Sequence, residues 1–219
     1  MEKVIIFGVN DFAELAHYYL TTDTKFQVEA FCVDSAYIPK SGFFLGLPVV
    51  DFKNVAMLYP ASDYKFFAPL APTGMNFVRK QIYYLIKEMG YSFVSYISSR
   101  CTVFNTEIGE NCFILEDNTI QPFVKIGNNI VLWSGNHIGH HSVICDNTMI
   151  TSHVVVSGHC HIGSQSFIGV NSTLRDGLRI SEGTFIAMSS SITRDTDAWC
   201  AYRGNPGSKY SDDSRSIKF

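Results

Sequence analysis

No apolar run in this 219-residue chain approaches the roughly 20 residues needed to span a bilayer. The apolar part of the opening segment, up to Gly8, is too short for a secretory signal peptide and reads as a first strand. Neither sign of charge dominates. The formal net charge of −3 gives no general attraction for nucleic acid, so a small anionic ligand needs local basic residues or backbone amides. The six cysteines, at 32, 101, 112, 145, 160 and 200, contain no CxxC pair and no compact framework. Reduced thiols in a cytoplasmic protein are the simplest reading.

What the chain does have is a six-residue repeat that runs unbroken from Ile108 to Ile192. An Ile, Leu or Val recurs at 108, 114, 120, 126, 132, 138, 144, 150, 156, 162, 168, 174, 180, 186 and 192. Four residues after each comes a second inward candidate, often small, such as Cys112, Asn136, Ser142 or Cys160. A helix has a period of about 3.6 and a lone strand a period of about 2, so neither explains a strict six. A parallel β-helix does, because six residues make one flat side and its corner.

Residues 1–96 have a different texture. Val4–Phe7, Val28–Val33, Tyr64–Ala68 and Phe93–Ile97 read as strands. Ala13–Leu20, with Asp11 as N-cap, and Asn76–Met89, stopped by Gly90, read as helices. This alternation predicts a small α/β domain over 1–96, followed by the β-helix over 97–194. The repeat slips by one residue between Val103 and Ile108. A polar cap and tail follows at 195–219. Outward apolar residues on the flats, including Val131, Trp133 and Phe167, predict burial against copies of the same chain.

Three sides close one coil, so each residue stacks on its counterpart one coil on at strand spacing, roughly 4.8 Å. Counting each aliphatic residue as position one, the fourth column holds Asn111, Asp117, Phe123, Asn129, Gly135, His141, Asn147, His153, His159, Gln165, Asn171, Gly177, Gly183 and Ser189. Asn, Asp, Gly and His best tolerate left-handed backbone angles, so this column is the corner. His141, His153 and His159 are thereby accounted for as corner residues. His137 and His161 face outward on the flats. His140 is the histidine that stands alone in the third column, and Gly158 lies one coil above it. A base beside a backbone N–H is the minimum for acyl transfer: one takes the nucleophile's proton, the other holds the oxyanion. A surface histidine beside a turn glycine is the competing interpretation.

The Ile-Gly-x-x-x-x repeats without internal loops resemble the hexapeptide-repeat acyltransferases. Within them the chain is similar to bacterial sialic-acid O-acetyltransferases and UDP-4-amino-sugar N-acetyltransferases. The resemblance implies a left-handed β-helix that trimerises, an N-terminal α/β domain that holds a nucleotide-sugar, and acetyl-CoA between adjacent β-helices without a metal. The family's base motif falls on His140-His141-Ser142-Val143-Ile144-Cys145. This implies His140 as general base and Gly158 as oxyanion donor. Where the family has Glu after the base, this chain has His141. The group that orients His140 is therefore open between His141, Asn136 and a carboxylate of another subunit. The same resemblance implies acetyl-CoA contacts at Gly158, Val170, Ala187 and Met188. Met149 stands where the family has a further CoA-contacting histidine. For the nucleotide-sugar it implies the turn Gly8-Val9-Asn10-Asp11-Phe12, which lacks the full GxGxxG of a dinucleotide site. Asp34 at the end of the second strand is placed for a base or ribose, and Asn76 and Arg79 for a phosphate, with ordinary turn and cap chemistry the competing interpretation for Asp34 and Asn76.

Together these features predict transfer of an acetyl group to an amine or hydroxyl of a nucleotide-linked sugar in surface-glycan biosynthesis. Two rivals are a zinc hydrolyase like the γ-class carbonic anhydrases and a non-catalytic sugar-binding solenoid. The first uses two histidines separated by four residues, and no two histidines here differ by five in number.

Overall fold

The computed structural model describes residues 1–217 and divides into two compact units. One holds residues 1–71 and 79–96; the other holds residues 72–78 and runs on from Ile97.

In the first unit β1 (Lys3–Phe7), β2 (Gln27–Val33), β3 (Phe43–Phe44), β4 (Leu47–Asp51) and β5 (Tyr64–Phe67) form a sheet in the order β3-β4-β2-β1-β5. All neighbours are parallel except the β3–β4 hairpin. Helix α1 (Asp11–Asp23) follows β1, α2 (Val55–Leu58) is a single turn, and α3 (Phe77–Glu88) ends at Gly90, whose φ is +88°. Ile5, Cys32, Phe66, Tyr83 and Ile86 form a core with almost no exposure, as the parallel sheet requires. The N-cap of α1 is Asn10, which accepts from Ala13 N at 3.3 Å, and not Asp11. The expected last strand divides into one parallel bridge, Phe66 to Phe93, and a two-residue strand at Tyr96–Ile97.

The second unit is a left-handed parallel β-helix of three sheets built from two-residue strands. One side stacks Thr102–Val103, Thr119–Ile120, His137–Ile138, Val155–Val156, Thr173–Leu174 and Ser191–Ile192. The next stacks Glu107–Ile108, Lys125–Ile126, Val143–Ile144, His161–Ile162 and Arg179–Ile180. Strands pair in the register that the three-sided coil demands, Ile138 with Val156 and Ile144 with Ile162. Val103 pairs with Ile120, one position short of that register, so the slip read from the sequence is absorbed in the first coil.

The aliphatic column fills the interior from Ile114 to Ile192, with no member more than 4% exposed. The polar members of the second inward column are buried too, and hydrogen bonds compensate them. Asn118 donates Nδ2 to Leu115 O at 2.7 Å and to Trp133 O at 2.9 Å, while its Oδ1 accepts from Asn136 N at 3.1 Å. Every residue of the corner column has positive φ, between +54° and +76°.

Three expectations need correction. Residues 72–78 belong to the β-helix unit, not to the α/β unit: Met75 is buried against Phe185 and Ala201, and Asn76 donates Nδ2 to Gln165 O at 3.3 Å and to Ser166 O at 3.2 Å. Residues beyond 194 are not merely a tail, because Ala201–Arg203 continues the third side in parallel with Phe185–Ile186. Of the outward residues expected to lie open, Val131 is 1% exposed and Phe167 packs in the cluster with Met75, whereas Trp133 is half-buried.

Ile150, fully buried at mid-solenoid, tests this packing. Ile150→Ala is expected to cost about 2–5 kcal/mol in chemical denaturation. A loss below about 1 kcal/mol would contradict a close-packed interior.

Candidate active site

The site lies on the corner edge between the first and second sides of the β-helix. Gln121–Val124, Gly139–Ser142, Ser157–Cys160 and Arg175–Leu178 are four successive turns along this edge. Gly139 leads into His140, and a Cβ on it would lie 2.5 Å from Gly158 N. Its bare Cα lets the two turns close up.

The backbone at His140 is held on both sides: its N–H donates to Gln121 Oε1 at 2.9 Å, and its carbonyl accepts from His159 N at 2.9 Å. The ring is held as well. His140 Nδ1 lies 3.1 Å from His141 Nδ1. With the proton on His140 Nδ1, His141 is the acceptor and Nε2 keeps its lone pair. His141 is thus the hydrogen-bond partner of the His140 ring.

The other end of the ring faces Gly158. A Cβ on Gly158 would lie 2.8 Å from His140 Cε1 and 2.9 Å from His140 Nε2. The Gly158 N–H makes no hydrogen bond among the described residues, whereas its carbonyl accepts from Gly177 N at 2.9 Å. A nitrogen base and an unspent backbone donor thus stand side by side, the pair that general-base acyl transfer needs.

Sequence reasoning missed His159. It follows His141 by one coil in the corner column, and the two rings stack at 4.9 Å and 14°, with Phe123 continuing the stack at 4.7 Å from His141. His159 also meets His140 edge-on at 4.9 Å. The ladder is visible in the sequence once the corner column is read as a stack of side chains as well as a run of backbone angles. One ring nitrogen each of His140, His141 and His159 lie within 4.8 Å of one another, all exposed, so these three are the described residues placed to hold a metal ion.

Other expected residues fall elsewhere. Asn136 is 1% exposed, donates Nδ2 to Trp133 O at 2.5 Å and accepts from Val154 N at 2.8 Å, so it serves the coil interior and does not orient His140. Val170, Ala187 and Met188 lie on the corner between the third and first sides, not on the His140 edge. Val170 and Met188 are 37% and 72% exposed, while Met149 is buried. Gly8 and Asp34 end adjacent parallel strands, with Gly8 N donating to Cys32 O at 2.9 Å and Asp34 exposed. The carboxyl ends of strands beside a change in strand order are where open parallel sheets bind ligands. Asn10 is engaged as the α1 cap. Asn76 and Arg79 are 0% and 1% exposed, so the structure places them in the interior and not on a surface open to a phosphate.

A thiol–imidazole pair on the second side does not form a nucleophile. Cys145 Sγ lies 3.5 Å from His161 Nε2, but burial, and then Asp146, push its thiol above the usual range.

Residues 105–140 match the family model for the bacterial transferase hexapeptide (six repeats). The chain is 26% identical over 105 residues to the acyl-[acyl-carrier-protein]–UDP-N-acetylglucosamine O-acyltransferase of Campylobacter concisus, covering 45% of this chain and 40% of that protein. It is 30% identical over 105 residues to the same enzyme of Helicobacter pylori, covering 45% and 39%. The matched stretch is thus about two-fifths of the length of these curated relatives. Among solved structures, a histidine-to-asparagine variant of perosamine N-acetyltransferase from Caulobacter crescentus, bound to CoA and GDP-perosamine, superposes with TM-score 0.85. It is 21% identical and covers 97% of this chain and 98% of its own. The acetyltransferase domain of PglB from Neisseria gonorrhoeae gives TM-score 0.81 at 17% identity, covering 96% and 100%. At such identities the likeness establishes that the α/β unit and the hexapeptide solenoid share a fold with these chains from end to end.

Gly158→Ala places a methyl group against the His140 ring. The His140 imidazole resonances are expected to shift in NMR spectra, with those of His137 and His161 unmoved. Unchanged His140 signals would mean that the ring does not sit against Gly158.

Proposed function

We propose that the protein is an acetyl-CoA-dependent acetyltransferase acting on an amino or hydroxyl group of a sugar, in the form of a nucleotide-sugar. The observation that carries this reading is His140 Nε2 beside the unspent Gly158 N–H, with His140 Nδ1 tied to His141. In the reaction His140 Nε2 takes the proton of the attacking group as it adds to the thioester carbonyl. The Gly158 amide stabilises the oxygen that becomes negative, and the same imidazole returns the proton to the leaving thiolate. The chain needs no covalent intermediate and no metal for this. The matched relatives are acyltransferases, and fold neighbours bind CoA and GDP-perosamine; both favour acyl transfer over a metal hydrolyase or a bare scaffold.

Acetyl-CoA contacts at Gly158 and at Val170, Ala187 and Met188 require two different edges of the β-helix. One groove holds both when the edges come from neighbouring copies, so the reading includes a homotrimer with its sites between subunits. The nucleotide-sugar is assigned to Gly8 and Asp34 of the α/β unit. The compartment is the cytoplasm, where acetyl-CoA is made.

A thiol-release assay with acetyl-CoA over UDP-, GDP- and dTDP-linked amino-sugars and their hydroxyl counterparts tests the reading. Transfer to at least one acceptor is expected, and none to any of them contradicts it. His140→Ala is expected to lower turnover by on the order of a hundredfold or more, with acetyl-CoA binding retained in calorimetry. His141→Ala is expected to lower it roughly tenfold through loss of the ring's hydrogen bond, and His141→Glu to restore it. Near-normal turnover in His140→Ala removes the base from the scheme.

A further inference from the structure

Asp176 stands on the same edge, stacked one coil beyond Gly158 in the third column. Its Oδ1 lies 2.9 Å from the point where a Gly158 Cβ would be, and His140 Nε2 lies 2.9 Å from that same point. The carboxylate oxygen and the base nitrogen are therefore no more than about 5.8 Å apart, across a bare Cα. That gap is one that a single nitrogen bridges at hydrogen-bond distance on both sides. Asp176 is exposed and forms no hydrogen bond or ion pair among the described residues. On the next edge of the solenoid third-column residues behave differently: Asp146 Oδ1 accepts from Asn128 N at 2.7 Å, and Asn128 Oδ1 from Glu110 N at 3.0 Å. Those side chains close their ladder, whereas Asp176 leaves the Gly158 N–H unused.

We infer that Asp176, His140 and Gly158 form an ammonium subsite, which commits the acyl-transfer reading above to an amine acceptor. The inference rests on that reading. An acceptor arriving as R–NH3+ donates one N–H to Asp176 and gives another proton to His140 Nε2. The free amine then forms the C–N bond, and the carbonyl π electrons move to the oxygen held at Gly158 N–H. The intermediate carries a positive nitrogen beside Asp176 and a negative oxygen beside the amide. As the C–S bond breaks, the thiolate takes the proton from the His140 imidazolium. The nitrogen's surplus proton then passes to the freed imidazole and on to solvent. The products are the amide, CoA thiol and one proton. For a hydroxyl acceptor the intermediate, once its proton is lost to His140, is an anion with no positive atom. Asp176 then only repels the oxyanion. The same carboxylate thus favours amines and penalises hydroxyls.

The test compares the full chain and Asp176→Asn with acetyl-CoA and UDP-, GDP- and dTDP-linked 4-amino-6-deoxyhexoses, each beside its 4-hydroxy counterpart. For the amine the variant is expected to lose about tenfold to a hundredfold in kcat/KM, the worth of a hydrogen bond to a charged group. For the hydroxyl it is expected to lose nothing or to gain, and Asp176→Glu is expected to recover part of the amine rate. Equal change for both acceptors, or none for the amine, overturns the subsite and leaves the acyl-transfer reading standing, as does an unmodified chain that acts on hydroxyls alone. No transfer by the unmodified chain to any acceptor overturns the reading itself. A variant that fails to fold is replaced by Asp176→Ser, read against the same two acceptors.

Discussion

The interaction on which the rest of this structure depends is the hydrogen-bonded stacking of each residue on its counterpart one coil away. Two-residue strands have little stability of their own. Each coil is held by N–H groups donating to the carbonyls of the next, and by aliphatic side chains that together exclude water from the interior. That repetition fixes the distance between any residue and its counterpart one coil on. His140 and Gly158 are brought together by this ruler, and Asp176 is its next mark.

The same stacking explains which parts of the edge are free to act. On the edge between the second and third sides, the third-column side chains of Asp146 and Asn128 each cap a backbone N–H of the coil below. At the level of His140 the cap comes instead from Gln121, in the coil before. At Gly158 the N–H goes uncapped, and the absence of a side chain leaves the His140 ring lying against the chain. The local departure from the repeat is where the proposed chemistry is placed. His141 is a corner residue and the partner of the His140 ring at once, because its positive φ turns the chain while its Nδ1 meets His140.

Much of this was legible in the sequence, and the failures share a cause. The period of six gave the solenoid, its register and the one-residue slip, since each depends on local pattern alone. The corner column matched positive φ at every position because the steric rule for left-handed backbone acts residue by residue. What the pattern could not disclose was contact with chain outside it. Val131 and Phe167 read as surface because nothing local says that they are covered. Asn76 and Arg79 read as ligand contacts because a polar residue opening a helix ordinarily meets solvent, yet Asn76 is spent on the distant Gln165 and Ser166. His159 was passed over because each histidine was weighed in its own column, whereas the cluster spans two columns and two coils.

The central claim is that one edge of the solenoid holds the reacting carbonyl between a histidine and a backbone amide. A crystal structure with bound acetyl-CoA tests it most directly. The thioester oxygen is expected at about 2.7–3.1 Å from Gly158 N, with the open face of its carbonyl carbon turned toward His140 Nε2. A thioester bound well away from Gly158, or turned so that its oxygen meets neither that amide nor the His140 edge, contradicts it.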